Sequence, residues 1–266
     1  IYEDRNSLRR TIKTDAIILG AIDYGESDRI VTFYSRELGK INGIAKGARR
    51  SKRRFVGNLD TPSHTRLLIF KDDRRELARI DDGTLVEGFS GIKGDIDRFG
   101  EACYMIELLR ELTPEALPIE GLFETVLAFL QFLQLGDRPE LTLRFFEIKL
   151  LTLLGYMPHL DGCVGCDSDT GNSERNAQKI FFSAVRGGLL CNPCAQVSSD
   201  ASPLAVGTAG FLSMASRLTI DKLPRLQPSN SFAREGERIL SDFIRHRIGR
   251  ELKTKKFMEK MRLAAI

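Results

Sequence analysis

Tryptophan is absent from this 266-residue chain, and histidine occurs only at His64, His159 and His246. The three histidines fall in different expected elements, so few side chains stand ready for general-base chemistry. No run of about 18 apolar residues occurs, which excludes an apolar membrane-spanning helix and any membrane partner built on one. The first ten residues, IYEDRNSLRR, contain no apolar stretch of the kind a secretion signal requires, and a cytoplasmic location is expected. Enzyme motifs are also missing. There is no G-x-x-x-x-G-K-[ST] phosphate loop, since Lys46-Gly47 has the residues in the wrong order and spacing. No G-x-G-x-x-G, H-E-x-x-H or G-x-S-x-G occurs, and neither half of the deaminase pattern is present. The carboxylate pairs Asp72-Asp73 and Asp81-Asp82 are expected at strand ends, in solvated turns.

What is present is charge, unevenly placed. The formal net charge is +4, but residues 1–54 carry 13 Lys+Arg against 7 Asp+Glu, and residues 245–262 carry 8 against 2. Each end is therefore +6 and the remainder is −8. The densest cluster is Lys46, Arg49, Arg50, Lys52, Arg53 and Arg54, six cations in nine residues without an acid. Packed like charges repel, so such a run is kept in solvent or turned toward a polyanion. Nucleic acid suits it, because each phosphate contact releases condensed counterions. At the other end lie Arg245, Arg247, Arg250, Lys253, Lys255, Lys256, Lys260 and Arg262. A helix macrodipole accounts for two or three cations near a C-terminus, not eight.

Between Ile12 and about Phe89 the chain reads as five short strands: Ile12–Ile22, Ile30–Tyr34, Lys40–Ala45, Leu67–Phe70 and Glu76–Ile80. Five strands in so short a stretch fit a small closed barrel, which removes exposed edges. An OB-fold and an SH3-like barrel satisfy the pattern almost equally. After Gly94 the period becomes helical. Phe99, Cys103, Ile106 and Leu109 mark a first helix with Asp95 as N-cap, and Cys103 is expected to be a buried small hydrophobe. Leu122, Val126, Phe129, Leu130 and Leu133 mark a second helix, and Leu141, Phe145, Ile148 and Leu151 a third that stops at Gly155. These three predict a helical bundle. Thr208–Leu218 and Asn230 to about Lys256 predict two more helices, the last with Phe232, Ile239, Phe243 and Leu252 on its apolar side.

Two C-x-x-C pairs, Cys163/Cys166 and Cys191/Cys194, stand 24 residues apart. Each can hold two thiolates on one side of a turn, and together they complete a tetrahedral site for one structural Zn²⁺. The spacer exceeds the common ribbon length, and the polar stretch Asp167–Gln178 reads as a surface insertion. Disulfides would need an oxidising compartment, and a redox C-x-x-C would stand alone near a βαβ unit. His159 is a weaker replacement ligand. The fold class expected is α+β and multidomain: residues 1–90 a nucleic-acid-binding β-barrel domain, which the resemblance described next implies is an OB-fold, 91–160 the first part of a helical domain, 161–200 a Cys₄ zinc-ribbon-like module, and 201–266 the second helical part with a basic C-terminal helix.

The order of these parts resembles a known family. Asp23-Tyr24-Gly25-Glu26-Ser27-Asp28, then Gly47-Ala48-Arg49-Arg50-Ser51-Lys52, is similar to the N-terminal domain of the bacterial RecO DNA repair family. The likeness continues through Leu153-Leu154-Gly155-Tyr156-Met157-Pro158 and the cysteine pairs to Leu252-Lys253-Thr254-Lys255-Lys256-Phe257. It departs at Arg53-Arg54, where a small polar residue before the aromatic is usual. The resemblance implies a non-catalytic, nucleoid-associated recombination mediator that binds single- and double-stranded DNA and anneals strands. It also implies contact with the C-terminal tail of single-stranded-DNA-binding protein, and action with RecR that lets RecA displace that protein. The expected DNA-contacting residues are Lys40, Lys46, Arg49, Arg50, Lys52, Arg53 and Arg54, with Arg250, Lys253, Lys255 and Lys256. Phe33, Tyr34 and Phe55 are the candidates for base stacking, at least one of the first two being core. Arg110, Arg138 and Arg144 are the candidates for the rim of the tail site. The alternative class is a zinc-ribbon RNA-processing or metal-dependent nuclease enzyme using scattered acids.

Overall fold

The computed structural model describes residues 10–72, 74–136, 139–170 and 179–264. The chain divides into two compact units, Ile1–Gly136 and Asp137–Ile266.

The first unit opens with five strands: β1 Arg10–Tyr24, β2 Asp28–Ser35, β3 Gly39–Ala45, β4 His64–Lys71 and β5 Ala78–Glu87. They form a closed barrel in the order β1-β2-β3-β5-β4, with β3–β5 the parallel pair and β4 returning to β1. Alternation sends Ala16, Ile18, Val31, Phe33, Ile41, Leu67 and Ile80 into the interior. This is the barrel expected, closed in the OB manner. The strand expected at Glu76–Ile80 runs on to Glu87, so Asp81 and Asp82 lie inside β5 and not in a turn. Pairing with β4 (Leu68 opposite Asp82, Leu67 opposite Gly83) overrides the low strand propensity of Asp-Asp-Gly. Asp72 is buried and accepts a hydrogen bond from the Arg74 amide at 3.1 Å. Asp73 lies outside the described residues.

Three helices complete this unit: α1 Ser90–Lys93, α2 Ile96–Leu112 and α3 Leu122–Leu135. Asp95 caps α2 as expected, its carboxylate accepting from the amides of Asp97 and Arg98. Cys103 is half-buried, not buried, because the inward face of α2 is carried by Ala102, Met105, Ile106 and Leu109. Both α2 and α3 pack on β1, which is why Ile17 is as buried as its inward neighbours. The expected three-helix bundle is thus corrected: the first two long helices cover the barrel, and the third belongs to the second unit.

That third helix is α4, Pro139–Leu153. It is followed by β6 His159–Cys163, β7 Ile180–Ser183, β8 Gly188–Leu190, α5 Asn192–Gln196 and β9 Ser202–Leu204. The strands form a sheet ordered β6-β8-β7-β9, in which β7 and β8 make the antiparallel pair expected from Ile180–Phe182 and Gly187–Leu190. Residues 171–178 of the expected insertion lie outside the described residues. Helices α6 Val206–Arg217, α7 Asn230–Ile248 and α8 Lys253–Ala264 follow. Packing among α4, α6 and α7 buries Phe145, Phe211, Ile239 and Leu240. The single helix expected from Asn230 to Lys256 is in fact two. Gly249 sits at φ 77°, a left-handed conformation that stops α7 with its amide bonded back to the Arg245 carbonyl. Among the described residues no helix is long and apolar enough to cross a membrane.

Candidate nucleic-acid interface and metal centre

The basic segment leaves β3 at Ala45 and passes through a 3-10 turn, Ala48–Arg50. Three of its apolar side chains, Ala48, Phe55 and Leu59, insert into the barrel core. Their burial fixes the segment as a strap across the barrel mouth, and the residues between them face solvent: Lys46, Arg49, Arg50, Lys52, Arg53 and Arg54 are all exposed. The strap is also tied to the β1–β2 hairpin. The Gly47 amide donates to Asp28 Oδ1 at 2.8 Å and the Arg49 amide to the Ser27 carbonyl at 3.0 Å.

These cations divide by what they already hold. Arg54 donates to the carbonyls of Asp81 and Lys46, at 3.1 and 3.2 Å, and lies over the Phe55 ring. Arg49 is paired with Asp23 at 3.3 Å and donates to the Glu26 carbonyl. Arg50 faces Glu26 at 3.6 Å, with side chains 72% and 91% exposed. So open a pair contributes roughly 0–1 kcal/mol and yields readily to a phosphate. Among the described residues, Lys46, Lys52 and Arg53 have no ion-pair partner.

Other expected site residues are placed differently. Lys40 donates from Nζ to the carbonyls of Arg110 and Thr113, each at 2.6 Å, so its ammonium caps the C-terminus of α2. Burial lowers its pKa, against the pull of Glu115 and Glu111. Phe33, Tyr34 and Phe55 are all buried, and none is open for stacking. Phe33 and Phe55 fill the barrel; Tyr34 points the other way but lies beneath the α2–α3 connection, where its hydroxyl accepts from the Ile119 amide at 3.0 Å. Arg144 is buried against Glu147 at 2.8 Å and is no exposed rim residue. Arg110 is exposed beside the barrel, and Arg138 lies outside the described residues.

The second basic cluster follows the break at Gly249. Arg250, Lys253 and Lys256 are exposed and Lys255 is half-buried; Lys256 pairs with Glu251 at 3.2 Å. On α7, Arg245 pairs with Asp242 at 3.0 Å and Arg247 lies over the Tyr156 ring at 4.2 Å. The Arg262 side chain lies outside the described residues.

The four cysteines converge as their spacing requires. Cys163 ends β6, Cys166 lies three residues on, Cys191 follows β8 as N-cap of α5, and Cys194 lies within α5. All four sulfurs lie within 4.8 Å of one another, and those of Cys166 and Cys191 are 3.7 Å apart. Tetrahedral Zn–S bonds of about 2.3 Å place sulfurs about 3.8 Å apart, so the set fits such an ion with no protein ligand missing. Backbone amides support the charge such ligands carry: Gly165 and Cys191 donate to Cys163 Sγ at 3.4 and 3.3 Å. Burial raises the Cys163 thiol pKa, but these amides and that of Cys166 outweigh it and bring it down to about 6. The neighbouring sulfurs of Cys191, Cys163 and Cys166 push Cys194 up to about 12. A Cβ at residue 165 would stand 2.8 Å from Cys194 Sγ, which is why the knuckle carries glycine there. His159 is exposed in β6 and outside the cluster.

Sequence reasoning did not foresee a cleft of about 140 Å³ between α4 and α7, lined by Leu141, Arg144, Asn230, Ala233, Arg234 and Glu237. Only the apolar spacing of α4 and α7 hinted that the two helices would meet.

Comparison with known proteins agrees with these parts in their order. A family model described as recombination protein O N terminal matches residues 9–89, and one described as recombination protein O C terminal matches residues 93–256. The DNA repair protein RecO of Syntrophus aciditrophicus (strain SB) is 36% identical over 255 residues, covering 95% of this chain and 97% of that protein. The RecO proteins of Myxococcus xanthus (strain DK1622) and Symbiobacterium thermophilum are 34% and 33% identical, each over 94% of this chain and 97% of their own. With both halves matched and whole-length relatives above 30% identity, the chain belongs to the RecO family of DNA repair proteins.

Proposed function

We propose that this protein is a non-catalytic recombination mediator that binds single- and double-stranded DNA and anneals complementary strands. The observation that carries the reading is the strap at the barrel mouth. Its apolar residues are buried, while Lys46, Lys52 and Arg53 are exposed without ion-pair partners among the described residues. Two anionic strands brought to a fixed array of cations repel each other less, and annealing then needs no covalent chemistry. Arg250, Lys253, Lys255 and Lys256 supply a second contact. One Zn²⁺ on Cys163, Cys166, Cys191 and Cys194 serves as a structural clamp, with no open position for a substrate.

In this reading the protein acts in the cytoplasm at the nucleoid, with RecR, to help RecA replace single-stranded-DNA-binding protein. The cleft lined by Leu141, Ala233, Arg234 and Glu237 offers the acidic, apolar-ended tail of that protein a small apolar floor and one guanidinium group, that of Arg234, since Arg144 is already held by Glu147. A nuclease would need acids gathered around a metal. Among the described residues, the four cysteines are the group of three or more His, Cys, Asp or Glu side chains close enough to share one.

The test is incubation with labelled complementary strands in Mg²⁺. Annealing without shortening of either strand is the expected result; progressive cleavage overturns the proposal in favour of the nuclease.

A further inference from the structure

Four thiolates on one Zn²⁺ leave two negative charges uncompensated, and the surroundings of the cysteine cluster answer them unevenly. Cys163 and Cys166 have local donors. The amides of Gly165 and Cys191 donate to Cys163 Sγ at 3.4 and 3.3 Å, and the Ser168 hydroxyl stands 3.2 Å from Cys166 Sγ. Among the described residues no amide or hydroxyl donates to Cys194 Sγ. What stands on that side is a guanidinium. A Cβ at residue 165 would lie 2.8 Å from Cys194 Sγ and 3.4 Å from Arg186 Nη1. Gly165 thus leaves no side chain between the cation and the sulfur. No hydrogen bond joins them, so the guanidinium acts on the sulfur as a charge.

Arg186 is held there by a built turn between β7 and β8. Gly187, at φ 75°, closes the turn, its amide bonded to the Ser183 carbonyl at 3.0 Å and its carbonyl accepting from the His159 amide at 2.9 Å. Ser183 is fully buried, and its hydroxyl oxygen accepts from the Arg186 amide at 3.0 Å. The Asp200 carboxylate clamps the same turn. It accepts from the Ser183 hydroxyl at 2.7 Å, from the Val185 amide at 2.9 Å and from the Ser198 hydroxyl at 2.9 Å. With that acid engaged by the turn, Arg186 is exposed and has no ion-pair partner among the described residues. A guanidinium so placed is left to answer the charge of the sulfurs.

We infer that Arg186 is the counter-charge of the Cys₄ centre, a positioning residue that touches no metal and raises zinc affinity by offsetting the negative charge on the Cys194 side. The inference rests on the assignment of Zn²⁺ to the four cysteines. It gives the β7–β8 turn a task besides joining two strands: the Asp200 clamp aims one cation at the sulfur that lacks a donor. An exposed cation is screened by salt, so its contribution is largest at low ionic strength.

The test is zinc affinity of the full chain, read by competition with a chelator at several salt concentrations, for the parent and for Arg186→Gln, Arg186→Lys and Arg186→Glu. Arg186→Gln is expected to weaken zinc binding roughly tenfold at low salt. Arg186→Glu should weaken it further and Arg186→Lys should restore most of it, because charge and not hydrogen bonding carries the effect. The gap between parent and Arg186→Gln should narrow as salt rises. Cobalt substituted for zinc reads the ligand set: the tetrahedral thiolate spectrum is expected unchanged in all four proteins. An Arg186→Gln protein with parental zinc affinity overturns the inference. So does an Arg186→Lys protein as weak as Arg186→Gln, a gap that salt leaves untouched, or an altered cobalt spectrum, each of which would make Arg186 a packing residue of the knuckle. A parent that takes up neither zinc nor cobalt fails the Cys₄ assignment itself; a parent that binds zinc no better than Arg186→Gln removes the role of Arg186 alone.

Discussion

Lys40 is one of seven barrel cations expected at the DNA surface, yet its ammonium caps α2, and replacing it separates the two roles. Lys40→Met keeps most of the stem and removes two charge-assisted hydrogen bonds, both 2.6 Å long, to the Arg110 and Thr113 carbonyls. Bonds of this type contribute about 1.5–3 kcal/mol each. Part of that is offset by the cost of desolvating the ammonium, which is why its pKa is lowered. The loss of favourable charge at a helix C-terminus adds a few tenths of a kcal/mol. A net destabilisation of about 2 kcal/mol follows, or a melting-temperature drop of about 4–8 °C at 2–4 °C per kcal/mol. Calorimetry or fluorescence-monitored melting reads this directly, and titration of labelled oligothymidylate at several salt concentrations reads the other role. The expected outcome is a lower melting temperature with the salt dependence of binding preserved. An unchanged melting temperature with a shallower salt dependence would refute the capping assignment and return Lys40 to the DNA surface.

Metal analysis of the reduced protein is expected to give one zinc per chain, falling to near zero in Cys166→Ser; a parent protein with substantially less than one would contradict the Cys₄ assignment. Acid is expected to weaken the first unit through His64, which is 8% exposed, T-shaped against Phe123 and 3.4 Å from Asp15. Burial lowers the His64 pKa from 6.5 against the opposing pull of Asp15, with Arg36 and Arg66 lowering it further. Its contribution is therefore complete above about pH 6.5 and lost as pH falls toward the folded-state value. Burial raises the Asp15 pKa, but Arg66, His64 and Arg36 outweigh it, so a second loss begins below about pH 3.8. Urea midpoints between pH 8 and 5 should fall less steeply in His64→Gln, and equal slopes would show that His64 carries none of the change.

How much of this was legible in sequence depends on how far the deciding contact lies along the chain. The cysteine pairs were readable because each knuckle is closed by neighbours such as Gly165. Strand and helix periods gave the barrel and the helices, since a period reports which face is apolar. It does not report what covers that face. Tyr34 alternates outward and is buried only because Ile119, 85 residues away, lies over it. Phe55 sits in an aperiodic segment, and its inward turn follows from the barrel interior closing over Ala48, Phe55 and Leu59 together. The break at Gly249 was hidden because one glycine is tolerated in a helical pattern and only its φ of 77° decides. Charge counting found the strap. It did not separate Arg54, held by two carbonyls, from Lys52 and Arg53.

The central claim is that the exposed cations of the strap bind single-stranded DNA. It is tested most directly by the slope of log affinity against log salt for an oligothymidylate, measured for the parent and for Lys46/Arg50/Lys52/Arg53→Ala. Each lost phosphate contact on a single strand removes about 0.7 from the slope, so a variant lacking three to four contacts should be shallower by about 2 to 3. Parallel lines for the two proteins, whatever their offset, would contradict the account.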